Sequence, residues 1–471
     1  MTESFDVIVI GAGPSGVAAS VSAAKNGAKV LIIDSNINTG GQVYKPPPEN
    51  FTKISNIKNK EINLQIKHKE LLKKSNVKIA LNHSVWQITD NFKIFAINNE
   101  NTFIEWQCKI LIVATGTYER IIPFPGWTNP GIIGLAATTT LLKSHRILPG
   151  KKTLIAGCGP LLAVVASGII KSGGSVVAII DNNKSTNWLT SIYPMLSNLW
   201  ALMDGFKWLK DILLNFIPIY FNSSINNVTL KNGEYLINIK NNKNKKITKI
   251  KADSVCVGYG LIPSIDILKS IGAKIYFNNK LSSWIPVLDR YYQTTINNLY
   301  SVGDGTGIDG AVPAYEKGLI AGNAASLKLN IINENQFNLV TKNIFKKLKR
   351  YQIFGQCMAR LMTPNNDILD NLTEDTIICR CEDITFKEIN DSIKIGAKDI
   401  NQLKSWTRCG MGPCQGRTCE DTISRIMSKY SGNREAVGVL TRRFPLKPIN
   451  METAVGKFDY EDIVHVEKAP L

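Results

Sequence analysis

Three observations predict an α/β fold of two dinucleotide-binding, Rossmann-like domains followed by a small helical domain. A strand–glycine turn–helix–strand unit fills residues 5–34, a near copy starts at Thr153, and five of the nine cysteines crowd into Cys379–Cys419. At 471 residues the chain is too long for one compact core, so two or three domains are expected.

The first unit opens with Phe5–Ile10, a short apolar run suited to a buried parallel strand. Gly11–Gly16 is a tight turn, Val17–Lys25 is Ala-rich and helical, Asn26–Gly27 ends the helix, and Lys29–Ile33 is a second strand closed by Asp34. In the second unit Thr153–Ala156 reads as strand, Gly157–Pro160 as turn, Leu161–Lys171 as helix and Val176–Ile180 as strand, closed by Asp181. Two further landmarks are a strand running into Ala114-Thr115-Gly116 and a strand ending at Gly303-Asp304, the latter before a helix-like stretch from Pro313 to Ser326. These landmarks divide the chain. Residues 1–150 and 284–330 form a first, discontinuous dinucleotide-binding domain, and 151–283 the second. Residues 331–372 are a helical connector, 373–430 the cysteine-rich domain, and 431–471 a patternless tail suited to a subunit contact. Within 373–430, Thr385 and Glu388 form a capping box and Gly396 ends the helix it starts. A last helix runs from about Thr418, with Ile423, Ile426, Met427 and Tyr430 on one side.

Composition is that of an ordinary globular protein, with 44% hydrophobic and 20% charged residues. The net charge of +18 comes from lysines scattered among Asn and Ile, and no basic run alternates with aromatics, so no nucleic-acid partner is expected. The strand pattern begins at Phe5, which leaves no room for a signal peptide. Leu154–Ile170 is broken by glycines and Pro160, and Phe206–Phe221 contains Lys207, Lys210, Asp211 and Pro218 and reads as a packing helix. No membrane span is expected, and the expected location is cytoplasmic.

Gly11-Ala-Gly13-Pro14-Ser15-Gly16 matches G-x-G-x-x-G, follows a strand, opens a helix and precedes Asp34 by 18 residues. Gly11 makes the turn, Gly13 admits a pyrophosphate and Gly16 lets helix and strand pack closely. The helix N-terminus offers N–H groups to phosphate, and Asp34 would accept from ribose hydroxyls. In the second turn Gly157 and Gly159 are kept but Leu162 replaces the third glycine, which would displace the helix. With Asp181 as ribose acceptor this fold would hold NAD(P) or another adenine nucleotide without efficient hydride transfer. The alternative is a retained fold that binds nothing.

Cys379-Arg-Cys381 and Cys414-Gln-Gly-Arg-Thr-Cys419 supply four thiolates in two close pairs, enough for a 2Fe–2S cluster or a tetrahedral zinc. Glycines 410, 412 and 416 free backbone N–H groups for sulfur, and Arg380, Arg408 and Arg417 offset a cluster's negative charge. Cys419 lies at a helix start, where thiolate is favoured. These features favour iron–sulfur. Cys409 gives three candidates for two ligand places. A flavin–disulfide reductase is disfavoured, because no cysteine precedes Cys108. Cys158 and Cys256 read as small core residues. The four histidines, His68, His83, His145 and His465, form no metal-type pair, and no general base is assigned, so the catalytic residues stay unknown.

Ala114-Thr115-Gly116 and Gly303-Asp304 stand where the large two-dinucleotide flavoproteins carry their second and third flavin motifs. This resemblance covers about residues 5–330 and implies FAD, with Asp304 holding the ribityl chain. Cys-x-Cys-Glu and Thr-Arg-x-Gly-Met-Gly-Pro-Cys-Gln-Gly-Arg-x-Cys resemble the bacterioferritin-associated-ferredoxin-like 2Fe–2S domain. Together with Gly40-Gly41-Gln42 and Ala114–Trp127, they make the chain similar to the alpha subunits of multimeric amino-acid dehydrogenases and oxidases, among them opine oxidases, hydrogen cyanide synthase, and proline and D-hydroxyproline dehydrogenases. The resemblance favours Cys414 and Cys419 as ligands beside Cys379 and Cys381, with Cys409 spare or exchangeable. It implies an FAD-containing beta subunit that oxidises the amine, with this chain relaying electrons to a downstream acceptor. The rival readings are a self-contained NAD(P)H-dependent ferredoxin- or quinone-type reductase and a non-catalytic assembly scaffold.

Overall fold

A computed structural model describes residues 2–45 and 60–455; His465 and the rest of the tail beyond Val455 lie outside it. β1 (Glu3–Ile10), α1 (Pro14–Lys25) and β2 (Val30–Asp34) form the first βαβ unit. β1 is central because it is apolar on both faces, and it pairs in parallel with β2 and with β3 (Phe103–Val113). The register sets Ile10 beside both Ile33 and Val113, and Ser301 of the short strand Leu299–Ser301 beside Val113. Four strands therefore end at one level, and the residues that follow them emerge on one edge: Gly11, Asp34, Ala114 and Gly303. That edge is where an open parallel sheet binds its ligand.

The second sheet is wholly parallel and repeats the plan with β4 (Lys152–Gly157), α2 (Leu161–Lys171) and β5 (Ser175–Asp181). Its order is Ile219–Phe221, β5, β4, Ser254–Gly258 and Ile132–Gly134. The last strand draws chain from before residue 151 into this sheet. After β5 come the helix Ser185–Met195 and α3 (Leu199–Leu214). α3 is attached on one side only: Ile212 is buried, while Phe206, Leu213 and Leu214 are more than 60% exposed.

α4 (Ala311–Lys328) returns to the first sheet and packs on α1. Gly318 and Gly322 make that approach possible, since a Cβ on either would sit 2.1 Å from Ser15 O or 2.0 Å from Ser22 Oγ. The connector is one long helix, α5 (Glu334–Leu361), started by an Asn333/Gln336 capping box. In the cysteine-rich module the expected Thr385/Glu388 box opens α6 (Phe386–Ile395), and Gly396 closes it at φ +124°. α7 (Ile400–Thr407) and α8 (Glu420–Ser431) complete the module. Its apolar core is not its own: Ile378, Ile389, Leu403, Ile423 and Met427 join one cluster with Ile122, Cys158 and Tyr259 of the two dinucleotide domains. No helix among the described residues is long and apolar enough to cross a membrane.

Candidate functional site

A cavity at the edge of the first sheet is lined by Gly11, Gly13, Pro14, Ser15, Asp34, Gly41, Gln42, Ala114, Thr115, Gly116 and Asp304. The structure thus brings together residues spread over nearly three hundred positions. Gly13 and Gly116 face open space: a Cβ on Gly13 would meet nothing nearer than Gly41 Cα at 3.9 Å, and one on Gly116 nothing within 4 Å. Gly16 and Gly303 do not line the cavity but shape it. A Cβ on Gly16 would sit 1.8 Å from Gly11 O, and one on Gly303 would sit 2.4 Å from Ser15 Oγ. This is a cradle of backbone and helix N-terminus that an extended dinucleotide fits.

The acids at the two ends are pre-set. Ala12 N–H donates to Asp34 Oδ2 (2.6 Å), and Asn36 donates to Oδ1 through backbone and side chain. Asp304 accepts from Asp309 N–H (3.1 Å) and Gly310 N–H (3.0 Å), and burial raises its carboxyl above the ordinary range. The turn below it rests on buried Lys317, which pairs with Asp309 at 2.7 Å and donates to Thr306 Oγ1. Nothing in the sequence marks that lysine.

Arg417, Leu446 and Lys447 also line the cavity, and sequence reasoning misses all three in this role. The sequence assigns Arg417 to offsetting cluster charge. It sits between Cys414 and Cys419, yet its guanidinium reaches Asp266 Oδ2 (2.8 Å) and Leu446 O (2.9 Å). Arg408 is likewise held by Glu382 at 3.0 Å. The tail, patternless in sequence, crosses back to the first sheet, where Leu446 N–H donates to Trp86 O.

The five clustered thiols fall into two groups. Cys379, Cys409 and Cys419 are buried, with sulfurs within 4.8 Å of one another. Cys381 and Cys414 are in hydrogen-bonding reach of each other and nearer the surface. Each group joins the Cys379–Cys381 segment to the 409–419 loop, so a two-iron cluster can take one iron per group. The first group then holds one thiol more than it needs. The glycines act as expected: Gly410 N–H donates to Cys379 sulfur and Gly416 N–H to Cys414. Gly412 has a further task, since a Cβ there would lie 2.2 Å from Cys381 Cβ.

The module is locked to the core by charge. Asp421, at the start of α8, receives Arg120 (3.2 Å), Arg425 (2.9 Å) and Arg434 (2.7 Å). Burial alone would raise its carboxyl, but Arg425, Arg434 and Arg120 outweigh burial and hold it well below the ordinary carboxylate range.

The second fold is arranged differently. Gly157 is fixed by β4 against Ser254–Gly258, where a Cβ would sit 1.8 Å from Gly258 O. Gly159 faces chain rather than open space: a Cβ there would meet Met362 Cγ at 2.6 Å and Leu361 O at 3.1 Å. Asp181 is buried and already bonded. Trp188 Nε1–H donates to its Oδ2 (2.8 Å), Asn183 donates twice to its Oδ1, and burial pushes its carboxyl up to about 6. The expected nucleotide residues Gly159 and Asp181 thus line a second cavity, with the Cβ side of Gly159 covered by Leu361 and Met362, while Gly157 does not line it. Leu162, which replaces the third glycine, is packed into the core beside Leu135 and Leu142.

Comparison with known proteins matches residues 5–318 to the family described as pyridine nucleotide-disulphide oxidoreductase, and residues 377–429 to the BFD-like [2Fe-2S] binding domain. An opine oxidase subunit of Rhizobium meliloti is 29% identical, over 96% of this chain and 87% of that protein. Hydrogen cyanide synthase subunit HcnB of Pseudomonas aeruginosa is 27% identical, over 94% of this chain and 96% of that one. Among solved structures, L-proline dehydrogenase from P. horikoshii shares the fold with a TM-score of 0.67 at 21% identity, over 96% of this chain and 80% of that one.

Proposed function

Because this chain belongs to the pyridine nucleotide-disulphide oxidoreductase family and is a flavin oxidoreductase with a [2Fe–2S]-binding domain, we propose that it is the electron-transfer subunit of a complex that oxidises an amine or imino acid. The observation that carries this reading is Arg417. The loop that presents Cys414 and Cys419 also forms a wall of the flavin cavity, so the two cofactor sites share a structural element.

FAD, when bound, supplies two-electron and one-electron chemistry, and the cluster supplies one-electron transfer. The chain's residues hold and orient them. The α1 N-terminus and Gly13 receive the pyrophosphate, Asp34 the ribose, and Asp304 the ribityl chain. Cys379, Cys381, Cys414 and Cys419 hold the cluster. The cavity's histidine, His83, has its Nδ1 against Leu81 O (2.6 Å) at the Asp34 end, and so is not placed for amine chemistry. Amine oxidation is accordingly assigned to an FAD-containing partner subunit, in keeping with relatives that are themselves named as subunits. The covered face of Gly159 weighs against NAD(P)H as the donor.

The test is reconstitution. The purified chain, with flavin and cluster, should show no flavin bleaching with proline, hydroxyproline, glycine or opines. Bleaching should appear when the partner subunit is added. Reduction by one of these substrates in the lone chain would overturn the assignment.

A further inference from the structure

Beneath α3 lies a second cavity of ≈ 340 Å³, within the range of about 300–1,000 Å³ usual for small-molecule sites. It stands at the C-terminal edge of the second sheet, where a dinucleotide fold ordinarily takes its nucleotide. Its walls are of another kind. Trp188, Phe206, Trp208, Phe221, Phe354 and Met358 give it aromatic and apolar surfaces from the helix Ser185–Met195, α3, α5 and the sheet edge. Among the described residues no lysine or arginine lines it, and the ionisable group in its wall is Asp181, capped by Trp188 Nε1 and Asn183. The Gly159 turn that should cradle a pyrophosphate is covered on its Cβ side by Leu361 and Met362. A fatty-acid carboxylate would meet the Asp181 carboxyl and no cation. The charge pattern suits a neutral, planar ligand that stacks on aromatic faces and brings an apolar tail.

Two placements narrow the class. Gly159 and Pro160 form one wall, and Cys158 between Gly157 and Gly159 packs in the same apolar cluster as Cys379, Cys409 and Cys419. The cavity and the cysteine module thus meet at one turn. The mouth opens on an apolar surface: Phe206 and Leu209 both line the cavity and are 62% and 40% exposed.

We propose that this cavity is the docking site of a lipophilic quinone, the acceptor that takes electrons from the chain. The proposal rests on the electron-transfer reading above. Conversion of the quinone to the hydroquinone consumes two electrons, delivered by the reduced chain, and two protons, taken from solvent.

The test uses the purified holoprotein and decylubiquinone, with binding followed by quenching of tryptophan emission. Gly205 lines the cavity, and a Cβ there meets no atom within 4 Å, so Gly205→Phe fills the space without displacing the chain. Ala163→Leu fills it from the opposite wall. Expected are saturable quenching in the wild type, a dissociation constant raised by about tenfold or more in both variants, unchanged flavin and iron content, and no displacement by ADP or NAD⁺. Non-saturating quenching, equal affinity in both variants, or displacement by ADP would overturn the proposal. So would quinone binding by the lone chain that disappears in the complex with its partner, which would make the cavity a subunit seat. Substrate oxidation by the complex with ferricyanide as acceptor reads the underlying function separately. Full ferricyanide turnover without quinone binding removes the site and leaves the electron-transfer reading standing; loss of both removes the two together.

Discussion

Replacing Asp421 by asparagine strips the counter-charge from three guanidiniums at once. Arg120, Arg425 and Arg434 lie 3.2, 2.9 and 2.7 Å from its carboxylate, and the Arg120 and Arg425 side chains are 1% and 2% exposed, so water cannot replace it. Removing one partner of a buried pair costs about 3–5 kcal/mol, and one carboxylate serving three cations puts this site at the upper end. That corresponds to a shift of roughly several thousandfold in the unfolding equilibrium. Urea unfolding of the holoprotein, followed separately by cluster absorbance and flavin fluorescence, should show cluster loss at lower urea than flavin release in Asp421→Asn. Thr422→Val is the control, because it removes only the Thr422 Oγ1–Ile121 O bond of 2.9 Å and should cost about 1 kcal/mol. The pH dependence follows from the depressed carboxyl. Its contribution is complete above the ordinary value of 3.8 and is lost as pH falls through the lower folded value. The gap between wild type and variant should stay flat from pH 8 to pH 5, by the same linkage, and close only in stronger acid. A shift no larger than that of Thr422→Val would refute the reasoning.

Gly13→Val should yield folded protein that has lost FAD absorbance, because a side chain there projects into the cavity, while Gly16→Ala should fail to fold, since its Cβ would lie 1.8 Å from Gly11 O; full flavin content in Gly13→Val would discard the cradle. Cys414→Ser should lose the cluster's reduced-state paramagnetic signal, whereas Cys409→Ser should keep it and Cys419→Ser should keep part of it through Cys409, which shares its group; equal loss in all three variants would show that the group has no spare thiol. Burial pushes the Glu119 carboxyl up to about 7 from an ordinary 4.5 although Ala136 N–H donates to it. Ionising it costs stability that accumulates as pH rises from 4.5 through about 7. Wild type should therefore lose up to roughly 1.4 kcal/mol per pH unit against Glu119→Gln in that window. A constant difference across the window would count against a buried, neutral Glu119.

What could be read from the sequence was local. The Gly11–Gly13 turn, the Thr385/Glu388 box and the span Leu161–Lys171 each carry their cause within a few residues; the box and the span stand where expected, while α1 starts at Pro14, three residues before the expected Val17. What could not be read depends on contacts between distant segments. The pairing of Ile132–Gly134 with the second sheet, the reach of Arg417 to Asp266 and the cover that Leu361 and Met362 lay on Gly159 have no short-range signature. Leu162 did mark the second turn as altered, but the larger change came from the connector, which reads only as a helix. Cys409 was visible as a surplus thiol; its company with Cys379 and Cys419 needed the folded loop.

Arg120 belongs to the flavin domain by sequence but neutralises a carboxylate of the cysteine module, and Ile122, two residues on, sits in that module's core. The module is therefore no transferable cassette. Cut out as 373–430 and grafted to another enzyme, it would carry Asp421 with Arg425 but without Arg120 and Arg434, and an apolar face without its floor. Lineages that exchange such domains would have to move the Arg120–Ile122 strip with them, or evolve a replacement on the new host.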